Sequence, residues 1–164
     1  MWLSRAPKQR GFSYVGLLIL LMIVGVMSAA TLTMGVAMQR RSAEDELLFI
    51  GDQFRMALNA YANASPPGAP RHPAKLSDLL RDPRLPGIRR HLRQLYVDPM
   101  TGGTDWETVV APQGGILGVS SRSMETPIRV SGFSDHFAHF DQARTYAEWV
   151  FMGDEDSRML QAKQ

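Results

Sequence analysis

The chain has 164 residues, no cysteine, 18 basic and 16 acidic side chains and a formal net charge of +2. That length suits one modest domain plus a membrane segment and leaves no room for a second catalytic domain. No disulfide framework is available, and neither the basic leader nor the stretch from Arg81 to Arg93 interleaves aromatics as nucleic-acid surfaces do, so no nucleic acid is expected as a partner.

Arg5, Lys8 and Arg10 mark residues 1–11 as a short basic leader. From Gly11 to Met38 no side chain is charged. A helix needs roughly 20 mainly apolar residues to cross about 30 Å of hydrocarbon, so residues 12–38 are expected to form the transmembrane half of a long helix. A secretory signal peptide has a shorter apolar region and ends in a small-residue cleavage site. Ser28-Ala29-Ala30 offers such a site, yet the apolar character runs on through Leu32, Met34, Val36 and Met38, which favours retention. The leader's charges favour the cytoplasmic side, although Arg40 and Arg41 reduce the contrast. Met22, Met27, Met34 and Met38 read as lipid-facing or packing residues. Gly25, Ala29 and Thr33 recur at four-residue spacing, which lets another helix approach closely, unless they reflect ordinary membrane composition.

Helical periodicity continues beyond the apolar run. Leu47, Ile50, Phe54, Leu58 and Tyr61 recur every three or four residues, with Glu44, Asp45, Asp52, Arg55 and Asn59 between them. Residues 39–64 are therefore expected to be an amphipathic continuation of one helix running from about Ser13 to Ala62. Ser65-Pro66-Pro67-Gly68-Ala69-Pro70 ends it by removing backbone donors. A small α+β domain is expected over residues 65–152. Leu76, Leu79 and Leu80 suggest a short helix before Asp82-Pro83. A second short helix would hold Ile88, Leu92, Leu95 and Tyr96, with Arg84, Arg89, Arg90 and Arg93 on its solvated face. Trp106–Ala111 and Ile116–Ser120 read as strands joined by Pro112-Gln113-Gly114-Gly115, a hairpin signal. Ile128–Val130 suggests a third strand, and Tyr146–Met152 reads either as a last strand or as a short helix. Residues 153–164 read as a polar, mobile tail.

No catalytic constellation emerges. His136 and His139, in Asp135-His136-Phe137-Ala138-His139-Phe140-Asp141, would share a helical face, but a zinc site needs further ligands and a surface or packing role is the simpler reading. His72 and His91 suggest no paired chemistry. Ser120, Ser121 and Ser123 sit in no nucleophile elbow, and Gly114-Gly115 lacks the helix and lysine of a phosphate loop. No catalytic residue, metal or cofactor is expected.

The run Lys8-Gln9-Arg10-Gly11-Phe12-Ser13-Tyr14-Val15-Gly16-Leu17-Leu18 resembles the leader junction of type IV pilin-like proteins, which include the pseudopilins of type II secretion systems. The resemblance implies cleavage between Gly11 and Phe12 by a prepilin peptidase and methylation of the new N-terminus at Phe12. It also implies a pilin-like α+β fold, with the long N-terminal helix packed on a small antiparallel sheet. The fifth mature position, where most members have a glutamate that neutralises a neighbour's N-terminal amine, is Gly16 here, as in certain minor pseudopilins. Gly16 cannot make that pairing, which points away from the bulk repeating subunit. Tyr96-Val97-Asp98-Pro99-Met100-Thr101-Gly102 is similar to a turn before the strands of G-type pseudopilins. Those proteins bind calcium through a later loop, for which Asp154, Glu155 and Asp156 are candidates by composition alone; a charged tail is the simpler reading.

The family implies a non-enzymatic subunit in the bacterial inner membrane, its C-terminal domain in the periplasm. Expected partners are prepilin peptidase, other pseudopilins, an inner-membrane platform with its cytoplasmic ATPase, and the lipid bilayer. The assembled periplasmic filament would help export folded proteins. Two rivals stand beside it: a minor pilin of a type IV pilus or DNA-uptake system, and a single-pass anchored periplasmic enzyme or binding protein.

Overall fold

The computed structural model describes residues 12–161, with side chains described for 14–25 and 38–159. Two compact units meet at Gln39 and Arg40. Helix α1, Phe12–Asn63, runs through both. In the first unit every described residue from Tyr14 to Gly25 is exposed. Among the described residues no helix is long and apolar enough to cross a membrane. The expected span of 12–38 takes in residues 26–37, whose side chains lie outside the described ones.

The second unit is α+β. Helix α2, Ser77–Leu80, is a single turn; β1, Glu107–Val110, and β2, Ile116–Ser120, form an antiparallel hairpin; 3-10 turns follow at Asp135–Gln142 and Tyr146–Glu148; β3 is Phe151–Met152 and α3 is Asp154–Gln161. The sheet order is β1-β2-β3, all antiparallel, with a register shift between Val109 and Val110. The hairpin loop turns through Gly114 and Gly115 at φ of +91° and +87°, a region open to glycine.

One apolar core joins the helix to the sheet. Leu47, Ile50, Phe54, Leu58 and Tyr61 of α1 are buried, as the periodicity predicts, against Trp106, Val119, Tyr146, Trp149 and Phe151. Gly51 faces the ring of Phe151, and a Cβ there would overlap the ring atoms. The absence of a side chain lets β3 lie against the helix backbone. Beside it Phe140 stacks on Trp149 at 5.3 Å and on Phe137 at 5.2 Å, with Phe151 edge-on to Phe140. Aromatic pairs in such geometries add to the burial of their apolar area.

Three expectations need correction, and one open reading is resolved. Residues 88–96 form no helix, because distant groups take their backbone partners: Leu79 O accepts from the N–H groups of His91 and Leu92, Arg89 O accepts from Asp82, and Tyr96 O accepts from Trp106 Nε1. Ile128–Val130 is not a strand, since the N–H groups of Ile128 and Arg129 donate to the Glu44 carboxylate. The third strand is Phe151–Met152, preceded by the 3-10 turn Tyr146–Glu148, so the segment left open between strand and helix contains both. Residues expected as a polar tail instead form α3, whose Asp154 is bonded to Arg55 and Asn59 of α1.

Candidate functional site

The first candidate surface is the exposed part of α1. Val15, Leu17, Leu18, Ile19, Leu20, Leu21, Met22 and Ile23 each leave about half or more of their surface open, and they succeed one another around all sides of the helix. A helix apolar all round is ordinarily a buried one. Gly16 and Gly25 lie in this segment with open space where a Cβ would be. Ala29 and Thr33 continue the four-residue series along α1, with side chains outside the described ones. Gly11 also lies outside the described residues; Phe12 is the first residue of α1, its side chain outside them.

The second candidate is the polar framework that fixes the other half of α1. Glu44, one of the charged residues set between the apolar positions of the stripe, lies on the buried face of the helix. Its carboxylate accepts from the Tyr146 hydroxyl at 2.8 Å and from the backbone of Ile128 and Arg129. Burial, reinforced by the Glu44 hydrogen bond, pushes the Tyr146 phenol up to about 12. A buried carboxylate is tolerable when donors surround it.

At the C-terminal end of α1, Arg84 is half-buried rather than solvated. It grips Asp82 through Nε at 2.9 Å and Nη2 at 2.8 Å. The same guanidinium donates to Tyr61 O and Pro70 O and lies 3.4 Å from the Tyr61 ring centroid. Arg84 thereby satisfies a carbonyl that the helix end leaves open and places a cation at its negative pole. His91 Nε2 donates to Asp82 Oδ2 at 3.0 Å. The Arg84 hydrogen bonds hold the Asp82 carboxyl well below the usual carboxylate range despite its burial.

Asp98 organises the loop before the sheet. It accepts from Met100 N at 2.9 Å, Thr101 Oγ1 at 3.0 Å and Ser121 Oγ at 2.7 Å. The Asp98-Pro99 turn is thus a structural knot tied to the end of β2. Its aspartate was visible in the turn motif; its burial was not.

The expected metal candidates separate. His139 is half-buried, its Nε2 3.4 Å from Val150 O, and burial lowers its pKa. His136 is exposed and 3.5 Å from Asp154. Asp154 bonds Arg55 at 2.6 Å and Asn59 at 2.8 Å, Glu155 bonds Arg71 at 2.6 Å, and Asp156 lies 4.0 Å from His72. Each acid of the triplet thus faces a base, and among the described residues no three His, Cys, Asp or Glu side chains are grouped to hold a metal. No protein-family model matches the chain, and no curated protein or solved structure matches it either.

Proposed function

We propose that this chain is a pilin-like structural subunit, most like a pseudopilin of a type II secretion system. The observation that carries the reading is the junction Arg10-Gly11-Phe12 directly before an uncharged run whose described residues are exposed on every side of α1. Such a segment gains stability only by leaving water. A prepilin peptidase would cut between Gly11 and Phe12, and methylated Phe12 would begin the mature chain. The apolar helix would first hold the subunit in the inner membrane and then pack among its neighbours in a periplasmic filament. The filament would act mechanically, its growth powered by a cytoplasmic ATPase, to help export folded proteins.

The second half of α1 supports this over a simple anchor. A tether need not bury an apolar stripe in its own domain, whereas here Leu47 to Tyr61 form one side of the core. Gly16, at the position where a charge-pairing glutamate is usual, favours a specialised place in the filament over the bulk repeat.

Intact-mass and N-terminal peptide analysis after expression beside an active prepilin peptidase tests the proposal. A chain beginning at methylated Phe12 is the expected result. A retained Met1 leader, or a cut near Ala30, would overturn it in favour of an anchored or conventionally secreted protein.

A further inference from the structure

One loop of the second unit gathers arginines that lack a counter-charge. Arg81, Arg89, Arg90 and Arg93 are all exposed, and none has a carboxylate partner among the described residues. Elsewhere in the unit arginines are mostly paired, as Arg40 is with Glu125, Arg71 with Glu155 and Arg129 with Asp45. The one acid of the loop, Asp82, is buried and taken by Arg84 and His91. Residues 83–97 hold no acid at all.

The loop is fixed before anything binds. Asp82 N donates to Arg89 O at 3.0 Å, which brings Arg81 beside Arg89, and the N–H groups of His91 and Leu92 converge on Leu79 O at 2.8 and 2.9 Å. Arg84 ties the same loop to the carbonyls of Tyr61 and Pro70. Arg90 and Arg93 line a shallow groove with His91 and Leu92. Ile88, next to Arg89 in the chain, is 74% exposed. An apolar side chain set among arginines has the make-up of a protein interface, in which a hydrophobic centre lies within a polar rim and arginine is enriched.

The chemistry of the partner follows from that make-up. Guanidinium forks held in place lose little freedom on binding and match carboxylates or phosphates in paired hydrogen bonds. A nucleic acid would find no exposed aromatic from Arg81 to Val97 on which a base stacks, and would offer Ile88 no apolar cover. A bilayer surface attracts basic residues by their number and has no use for forks in a fixed arrangement. A polypeptide supplies both carboxylates and an apolar side chain. This chain is a poor source of them, because several of its exposed acids are already engaged: Asp45 by Arg129, Glu107 by Arg122, Glu125 by Arg40 and Glu155 by Arg71.

We propose that the loop of residues 81–93 is a docking site for an acidic segment of another protein, its carboxylates held by Arg81, Arg89, Arg90 and Arg93 and an apolar side chain resting on Ile88. This docking uses residues of the second unit alone and does not depend on the filament reading. It is expected whether or not a peptidase cuts after Gly11.

The test uses the full chain in a neutral detergent and a fluorescein-labelled peptide of glutamates flanking a central pair of leucines, with binding read by anisotropy. Affinity should fall about tenfold as salt rises from about 50 mM to about 500 mM. Arg89→Glu/Arg90→Glu/Arg93→Glu should weaken binding by about tenfold or more, because like charges then face one another. Ile88→Ser should weaken it about fivefold with the charge unchanged, which separates docking from general attraction to a basic surface. Glycines in place of the peptide's leucines should erase that difference. The salt series, run on the unaltered chain, keeps the test decisive if the arginine variant misfolds. Inorganic polyphosphate, a single-stranded oligonucleotide and the soluble lipid dihexanoyl phosphatidylglycerol serve as competitors. No peptide binding at low salt, equal binding by the Ile88→Ser variant, or preference for any of the phosphate carriers would overturn the docking site. Peptide binding by a chain that the peptidase leaves uncut supports the docking site and removes the filament reading; a cut chain that does not bind does the reverse.

Discussion

The Tyr146 hydroxyl donates to Glu44 across 102 positions of sequence, at 2.8 Å and inside the core. The pair ties the start of the packed half of α1 to the turn before β3. Removing the hydroxyl leaves a buried carboxylate one donor short, and a hydrogen bond to a charged group contributes about 1.5–3 kcal/mol. Tyr146→Phe should therefore lower the unfolding free energy by about that amount. Denaturant titration in detergent, followed by tryptophan fluorescence, measures it; an unchanged midpoint would mean that the backbone donors alone satisfy Glu44.

Gly51 gives a prediction of opposite sign to helix propensity. Alanine is favoured over glycine in a helix by about 1 kcal/mol, yet a Cβ at this position would occupy the Phe151 ring. Overpacking a filled core costs about 1–3 kcal/mol, so Gly51→Ala should destabilise. The paired Gly51→Ala/Phe151→Leu variant should recover part of the loss. A higher melting temperature for the single variant would contradict the close approach.

Acid should weaken the C-terminal anchorage of α1. The folded Asp82 carboxyl lies below its unfolded value of about 3.9. A depressed carboxylate contributes stability that is present above the unfolded pKa and disappears as pH falls toward the folded one. Asp156 has the reverse sign, since burial raises it; it favours the fold below the ordinary carboxylate pKa and loses that contribution as pH rises. Asp82→Asn should flatten the acid limb below about pH 4. At neutral pH the variant should be less stable by about 1.5–3 kcal/mol, because half-buried Arg84 is left without its counter-charge. Unfolding midpoints across a pH series separate the two effects.

Much of this architecture is written in the periodicity. Leu47, Ile50, Phe54, Leu58 and Tyr61 announce a buried helix face, and Pro112-Gln113-Gly114-Gly115 announces the hairpin. Glu44 and Gly51 carry a further signal in the same stripe. They fall in phase with Leu47, Phe54, Leu58 and Tyr61, where a charge or a missing side chain signals a buried acceptor or a close approach. What periodicity does not convey is which backbone groups will be taken by distant atoms. Leu79 O unmakes the helix expected at 88–96, and Glu44 takes the donors of the strand expected at 128–130. Arg84 differs from exposed Arg89 and Arg90 in its grip on Asp82, two residues away, and on the distant end of α1.

Processing gives the fourth prediction. The leader resemblance makes the small residue before the scissile bond a requirement, so Gly11→Val should leave the precursor uncut while membrane insertion is unaffected. Gel mobility and intact mass beside an active prepilin peptidase report it. Normal maturation of the variant would remove Gly11-Phe12 as the cleavage site.

The Phe151 ring seated at Gly51 also sets how α1 and the sheet answer a force. Gly118, which β2 places opposite Met152, leaves no room for a side chain against the Phe151 carbonyl, so the strand carrying the ring is itself closely seated. Sliding α1 by one turn in either direction would bring Leu47 or Arg55 toward the ring in place of the vacant Cβ position. Sliding α1 along its axis is therefore opposed by a wedged ring as well as by hydrogen bonds and ion pairs.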